Sequence, residues 1–425
     1  MTRTRPNQSG LRIGFVSTRF AGTDGVSLET AKWALTLERL GHACFYFCGE
    51  CDRPAGRSHV TPEAHFKHPD IEAVQAQAFS QTARPPELTR RIRQLTEHLK
   101  AQLYTFVAAF DINLLIAENA LAIPMNIPLG LALTELIAET AIPTIAHNHD
   151  LAWERKRFLF NCVGDYLDAA FPPALPSVRH AVINSLAGQQ LSLRRGVSSV
   201  LIPNVMDFES PPPPPDEYTS DLRNELGLAP DELFILQPTR IIPRKGIERA
   251  IELTARLERK ARLVITHAAG DEGLAYAAFL RDYADRLGVP TAFVADRISE
   301  ERGRLPDGRK TYTLWDVYPH ADLVTYPSEI EGFGNAFLEA IYFRRLIVVN
   351  AYPVYMADLK PKGFRIIEFD GYITEETLWQ MRQLLDAPEV ARDIAAHNYA
   401  VARRHYSYTV LESRLQALIA AGWDC

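Results

Sequence analysis

Two carboxylates and two cations carry the clearest chemistry in this chain. Glu331 and Glu339, with seven residues between them, lie in Pro327-Ser328-Glu329-Ile330-Glu331-Gly332-Phe333-Gly334-Asn335-Ala336-Phe337-Leu338-Glu339-Ala340, a segment that follows an expected strand and opens an expected helix. The first backbone N–H groups and the positive dipole end of such a helix make an anion site, and its glycines let a phosphate approach the backbone. A bare pyrophosphate would be repelled by two carboxylates, whereas sugar hydroxyls are donors that carboxylates bind well. Phosphates and sugars together describe a nucleotide sugar. Arg240 and Lys245, in Thr239-Arg240-Ile241-Ile242-Pro243-Arg244-Lys245-Gly246, also lie between a strand end and a helix start, where they can neutralise a diphosphate leaving group. On its own this second segment would read as an ordinary solvated loop.

The first half carries a histidine pair in Ala146-His147-Asn148-His149-Asp150, again at a strand end. H-x-H also begins zinc sites, but neither H-x-H-x-D-H nor H-E-x-x-H occurs, so no metal is expected there. Structural hydrogen bonding is the competing reading for at least one of the two. Trp153-Glu154-Arg155-Lys156-Arg157 follows directly. Its cations, Arg155 and Arg157 above all, can hold a carboxylate or phosphate of an acceptor, with Trp153 as a stacking face; a solvated helix face is the alternative. Cys44, Cys48 and Cys51 have the C-x3-C-x2-C spacing that resembles the cluster signature of radical-SAM enzymes. The strand reading is preferred, because thiols that alternate on a strand do not converge and Glu50 stands where that signature has an aromatic residue.

Short buried strands are expected at 11–17, 43–48, 112–117, 144–147, 181–184 and 200–202, with helical stretches between them. The same rhythm restarts at 233–237, 262–266, 291–295, 323–326 and 346–349, with a helix at 246–259 that places Ile247, Ala250, Ile251, Thr254 and Leu257 on one face. Strands alternating with helices mean a parallel, helix-covered sheet, here twice over: an α/β chain of two doubly wound, Rossmann-like domains. Five prolines at 211–215 mark the junction. The expected division is 1–205, an acceptor-side domain; 206–395, a nucleotide-sugar domain; and 396–425, a helix returning to the first domain. A loop at 298–310 reads as a solvated excursion. Ligands of such sheets bind outside the carboxyl ends of the strands, in a cleft, where all these motifs fall.

Taken together, the Glu-x7-Glu segment, Pro327-Ser328 and Arg240…Lys245-Gly246 closely resemble the retaining, GT-B-fold glycosyltransferases of family four. Asp24-Gly25-Val26 looks like that family's first glycine loop, and Asn184-Ser185 resembles its strand-end serine. Ile202-Pro203-Asn204-Val205-Met206-Asp207 looks like its Pro-Asn-Gly-Val-Asp linker without the glycine, and Phe343-Arg344-Arg345 stands where a glycine is usual. The resemblance implies a role for each matching position. Glu331 would contact hydroxyls of the transferred sugar, Glu339 the ribose, and Arg240 and Lys245 the diphosphate. N–H groups of Phe333, Gly334, Asn335 and Gly25 would reach the phosphates, and the base would stack near 293–297. His149, with His147 second, would touch the donor sugar near its anomeric centre. Asp24, His147, Trp153, Arg155 and Arg157 would face the acceptor, a small soluble anion such as the glycerate-type compatible solutes made by some members. No D-x-D occurs, so the diphosphate is expected to be stabilised without metal or other cofactor. The expected reaction moves a hexose, glucose or mannose, from a UDP or GDP sugar with retention. A nucleotide-sugar epimerase or hydrolase and a non-catalytic nucleotide-sugar binding protein are the rivals.

The 425 residues, with 46 Lys plus Arg against 52 Asp plus Glu, exceed one ordinary core and give a formal charge of −6, which offers nothing to a nucleic-acid backbone. The apolar stretch at 120–133 is broken by Pro124, Asn126 and Pro128 and falls short of the roughly 18–20 residues of a membrane span. The polar start lacks the apolar core of a signal peptide, and five cysteines suit reduced thiols, so a cytoplasmic protein is expected, with a homo-oligomer left open.

Overall fold

The computed structural model describes residues 10–22, 24–269 and 274–423. Residues 1–9, where the polar start lies, Thr23 of the first glycine loop, and Cys425 fall outside that description. The chain divides into two compact units, one running to Val205 and resuming at Tyr408, the other spanning Met206–Ser407.

The first unit is a sheet of seven parallel strands: β1 (Arg12–Val16), β2 (Ala43–Cys48), β3 (Ser58–Val60), β4 (Leu114–Glu118), β5 (Thr144–Asn148), β6 (Val178–Val182) and β7 (Ser199–Leu201). Their order is β3-β2-β1-β4-β5-β6-β7, so the strand order reverses between β1 and β4. Because side chains alternate across a strand, each face of the sheet collects its own core. Leu99, Leu103 and Phe106 of helix Pro86–Ala109 pack on one face with Leu129, Leu133 and Ile137 of helix Ile127–Thr140. On the other face, Trp33 and Leu37 of helix Gly25–Arg39 meet Leu411, Leu415 and Leu418 of helix Tyr408–Ala420. Trp33 is fully buried, and truncation to Ala would cost about 3–5 kcal/mol.

The second unit orders six parallel strands as β10-β9-β8-β13-β14-β15: β8 (Leu233–Gln237), β9 (Ala261–Ile265), β10 (Thr291–Phe293), β13 (Leu323–Tyr326), β14 (Leu346–Asn350) and β15 (Ile367–Phe369). A separate antiparallel hairpin joins β11 (Gly303–Arg304) to β12 (Lys310–Thr311). Helix Ile247–Arg256 buries Ile247, Ala250, Ile251 and Thr254, the stripe that its spacing implied. The strand order reverses between β8 and β13, which makes the carboxyl ends of those strands the switch point where open α/β sheets bind ligands.

Three expectations are corrected, and two strands are added. The last helical stretch is broken at Ser407, so helix Pro388–Tyr406 stays in the second unit and the returning helix begins at Tyr408 rather than at 396. The 298–310 segment is no bare excursion. The Arg302 guanidinium bonds Asp316 at 2.6 Å and Asp216 at 2.6 Å, and Tyr218 Oη donates to the carbonyls of Gly303 and Thr311, at 2.7 and 2.9 Å. The strand expected at 181–184 ends at Val182, because Asn184 turns its side chain to accept the Ala187 N–H at 2.7 Å and caps helix Ser185–Arg195. β3 and β15 went unforeseen, since three-residue edge strands are too short to show periodicity. Among the described residues no helix is long and apolar enough to cross a membrane.

Candidate active site

In the second unit the two chemistry-bearing loops leave β8 and β13, the strands that flank the switch point, and dock on one another. Glu329 N–H donates to the Arg244 carbonyl at 2.9 Å, and Arg244 Nη1 to the Ile330 carbonyl at 2.8 Å. Gly246 makes this approach possible. Its φ is +58°, and a Cβ there would lie 2.6 Å from the Pro327 carbonyl oxygen. At the base of the loops, Thr325 Oγ1 donates to Gln237 Oε1 at 2.7 Å and Gln237 Nε2 to Thr239 Oγ1 at 2.7 Å, a buried polar row that fixes where both loops start.

The docking brings Lys245 and Glu331 into a direct ion pair, with Arg244 3.3 Å from the same carboxylate. The Lys245 and Glu331 side chains are only 11% and 8% exposed, so the pair is largely desolvated. Burial pushes Glu331 up, but Lys245 and Arg244 outweigh it and hold the carboxyl below its usual value. Burial depresses Lys245 further than Glu331 can restore. Arg240 is exposed on the same loop and helps push down His267, which stands just past β9 and is held near 4, chiefly by burial. Glu339 lies more than a turn into helix Asn335–Tyr342 and accepts the Tyr318 hydroxyl at 2.7 Å. Gly334, at φ +128°, sits where a Cβ would collide with the Tyr352 hydroxyl, which donates to the Phe333 carbonyl at 2.9 Å. The backbone of Phe333, Gly334 and Asn335 is thereby set at the helix entrance.

Beside these loops, a cavity of about 510 Å³ opens at the ends of β9 and β10, lined by Ile241, His267, Phe293 and Asp296 among others. The Arg281 guanidinium lies 3.8 Å from the Phe293 ring centroid. Arg297, at the far edge of the stretch expected to stack the base, is turned away. It is buried, donating to Glu225 Oε2 at 2.6 Å and to the Lys310 carbonyl at 2.7 Å.

In the first unit the histidines acquire a partner that no motif announced. Glu118 closes β4, wholly buried, and its Oε2 lies 2.9 Å from His147 Nδ1 and 3.2 Å from His149 Nε2. Asn119, at φ +57°, braces the loop by accepting the N–H groups of His149 and Asp150 at 3.1 and 3.3 Å. His147 stacks on Trp33 with ring centroids 3.9 Å apart, which places it in the core, while His149 stands at the strand end. The burial that would raise Glu118 is outweighed by the two imidazoles, which hold it near 2. Burial wins at His147, lowering it; at His149 the Glu118 bond and charge win over burial and raise it. The three residues offer ligand atoms within 4.8 Å of one another, the one such group among the described residues; two hydrogen bonds meet at Glu118 Oε2, while Glu118 Oε1 and His147 Nε2 are buried with no hydrogen-bond partner. Cys44, Cys48 and Cys51 form no comparable group.

The residues expected to face an acceptor are less convergent. Asp24 caps helix Gly25–Arg39, with Oδ1 accepting from Val26 and Ser27 N–H at 3.1 and 3.2 Å and Oδ2 from Ser27 Oγ at 2.7 Å. Its carboxylate therefore serves the helix that begins with Gly25. Trp153 Nε1 donates to Gln190 Oε1 at 2.7 Å, Arg155 pairs with Asp150 at 2.5 Å, and the Arg157 guanidinium lies 4.6 Å from the Phe158 ring centroid. The helix face weighed as the alternative is instead two short 3-10 turns, Ala152–Glu154 and Lys156–Phe158. Glu118, Arg244 and His267 were missed by sequence reasoning. Arg244 alone left a trace, as the cation next to Lys245.

Residues 219–400 match the family described as glycosyl transferases group 1. The chain is 32% identical over 439 residues to a mannosylglucosylglycerate synthase of Thermotoga maritima, covering 95% of this chain and 99% of that one. It is 31% identical over 384 residues to a mannosylglucosylglycerate synthase of Petrotoga mobilis, covering 84% and 86%. Anabaena HepE, solved in complex with UDP and glucose, shares the fold at a TM-score of 0.63 over 97% of this chain and 100% of that one, with 14% identity. Two parallel-sheet units, a loop pair at the switch point and a relative matched over nearly its whole length lead to one conclusion: the chain belongs to the group 1, family-four glycosyltransferases of the GT-B fold and is a sugar-transferring enzyme.

Proposed function

We propose that the enzyme transfers a hexose, with retention, from a nucleotide-diphosphate sugar to a small glycerate-bearing acceptor. The observation that carries this reading is the docking of the Arg240–Lys245 loop on the Glu331 loop at the switch point, which sets cations for phosphates beside a carboxylate for sugar hydroxyls. The two relatives named mannosylglucosylglycerate synthase support a mannosyl unit as the transferred sugar and a glucosylglycerate as the acceptor. In the proposed complex Lys245 and Arg240 face the diphosphate, first-turn N–H groups at Phe333, Gly334 and Asn335 add donors, Glu331 orients the sugar and Glu339 the ribose. The base occupies the Phe293–Asp296 cavity. There the Asp296 carboxylate suits guanine, whose edge offers adjacent N–H donors, better than uracil with its single N–H.

On the acceptor side, His149 contacts the transferred sugar with its ring held by Glu118, and Arg155 and Arg157 attract the glycerate carboxylate. Gly25 N–H adds a phosphate donor, while Asp24 and His147 act by holding the helix start and the Glu118 carboxylate. No metal is required in this scheme. A metal-bound alternative has one observation in its favour, the Glu118, His147 and His149 group. Incubating the enzyme with GDP-mannose and glucosylglycerate, with and without chelator, separates the two. Undiminished turnover in chelator supports the metal-free scheme, and activity restored only by a divalent cation supports the alternative.

A further inference from the structure

Glu339, half-buried on helix Asn335–Tyr342, does not meet a ligand as a loose side chain. Its Oε2 accepts the hydroxyl of Tyr318 at 2.7 Å, from the 3-10 turn Tyr318–His320. Tyr318 is fully buried, where a hydroxyl without a partner would be costly, so the bond satisfies a donor that water does not reach. Burial and the Glu339 charge push the phenol well above its ordinary value, which keeps Tyr318 the donor through the neutral range.

The two partners are tied to each other by the segment that follows the helix of Glu339. Phe343 N–H donates to the Glu339 carbonyl at 3.0 Å, and the Phe343 ring stacks on that of Tyr318, with centroids 5.1 Å apart and planes 6° from parallel. Arg345 Nη1 donates to the carbonyls of Pro319 and Ala321 at 3.3 and 3.2 Å, and so anchors the turn that carries Tyr318. On its other side the turn follows helix Leu314–Val317, where Thr313 Oγ1 accepts the Asp316 N–H at 3.2 Å and Asp316 Oδ2 the Thr313 N–H at 2.9 Å. Arg302 holds the same Asp316 from the 298–310 segment. Stacking, backbone bonds and a capped helix therefore fix where the Tyr318 hydroxyl stands.

We propose that Tyr318 is a positioning residue for the donor: by holding Glu339 Oε2 it sets the carboxylate toward the ribose 2′- and 3′-hydroxyls and makes the enzyme select ribonucleotides over deoxyribonucleotides. The inference rests on the reading of Glu339 as the ribose contact. A glutamate carboxylate is otherwise loosely set, because the torsion at its end is broad and roughly two-fold rather than staggered. Tyr318 removes that freedom before the donor arrives, so the ordering is not charged against binding and the ribose meets an acceptor already in place. Without the phenol hydroxyl the carboxylate must be ordered by the nucleotide itself. That loss falls on ligands that carry the hydroxyls and spares those that lack them.

The test is calorimetric binding of GDP and 2′,3′-dideoxy-GDP to the full-length wild type, Tyr318→Phe, Glu339→Ala and the double variant, with thermal unfolding recorded for each. The same measurements with UDP and 2′,3′-dideoxy-UDP keep the identity of the base out of the result. Tyr318→Phe keeps the ring and its stack on Phe343 and deletes only the hydroxyl. It should weaken the ribonucleotide ~10-fold, the size of one hydrogen bond, and leave the dideoxynucleotide unchanged. With Glu339 already replaced by Ala, the tyrosine substitution should cost nothing further. A purely structural role would weaken both nucleotides alike, and that result, or full ribonucleotide affinity in Tyr318→Phe, overturns the proposal. A wild type that binds both nucleotides equally sinks the ribose reading of Glu339 and the proposal with it. A wild type that prefers the ribonucleotide leaves that reading standing whatever Tyr318→Phe does.

Discussion

Glu118 Oε2 lies 3.2 Å from His149 Nε2, across the carboxyl ends of the neighbouring strands β4 and β5. The bond fixes which imidazole nitrogen turns away from the carboxylate and favours the protonated ring. A raised folded-state value means that the stabilisation is fully present below the ordinary value of 6.5 and is lost as pH rises through the raised one. Glu118→Gln removes the charge, so the ionisation of His149, read by NMR or from the limb of the kcat profile that His149→Asn abolishes, should move to lower pH. The same variant should lose ~10²-fold in kcat. An unmoved profile would show that Glu118 serves packing only.

Lys245 and Glu331 should behave as a coupled unit. Removing Glu331 leaves Lys245 buried without its carboxylate, which costs about 3 kcal/mol of stability in a denaturant titration, and removing Lys245 costs less because Arg244 still faces Glu331 at 3.3 Å. Lys245→Met should also cut kcat by ~10²–10³-fold if it faces the leaving diphosphate. A double-mutant cycle with Glu331→Gln should give a coupling of about 1–3 kcal/mol. Additive losses would contradict the pairing.

At the cavity, Phe293→Ala should weaken donor binding by about 1–3 kcal/mol, as loss of a stacking face does, with little change in kcat. Asp296→Asn should narrow any preference for a guanine over a uracil nucleotide, measured by calorimetry with GDP and UDP. Equal losses for both bases would argue against a contact to the base edge.

Arg155 is partly neutralised by Asp150 at 2.5 Å, so the acceptor-side field should respond in two directions. Arg155→Glu and Arg157→Glu should each raise the acceptor KM strongly, by ~10-fold or more if a charged hydrogen bond of about 1.5–3 kcal/mol is lost. Asp150→Asn should lower it. If all three leave KM unchanged, the glycerate carboxylate binds elsewhere.

Acid should weaken the first unit through His180. Its Nε2 lies 3.0 Å from the Pro173 carbonyl and its Nδ1 3.4 Å from Asn148 Nδ2, contacts that a neutral ring can satisfy. Burial, with help from Arg195, pushes its value down to about 4, below the ordinary 6.5, so the unfolded chain takes up a proton that the folded one refuses. That contribution is present above 6.5 and is lost as pH falls toward 4, up to about 3 kcal/mol. His180→Asn should flatten unfolding free energy over that window, and an unchanged slope would contradict it.

The sequence disclosed most where chemistry and periodicity coincide. Glu331, Lys245 and Gly246 lie in contiguous motifs beside strong strand patterns, and the stripe Ile247, Ala250, Ile251 and Thr254 faces the core as its spacing implied. What stayed hidden was pairing through space. Glu118 is an unremarked carboxylate at a strand end until β4 and β5 lie side by side. Asp24 shows a related limit: Asp before a helix start is equally a ligand contact and an N-cap, and only the fold shows its hydrogen bonds to Val26 and Ser27 N–H. The helix break at Ser407 shows no glycine or proline, so only packing reveals it.

The most direct test of glycosyl transfer is nucleoside-diphosphate release from GDP- and UDP-hexoses, with and without glucosylglycerate, followed by product analysis. The expected result is acceptor-dependent release with one new glycoside of retained anomeric configuration. Release at the same rate without acceptor, or no turnover of any nucleotide sugar, would contradict it.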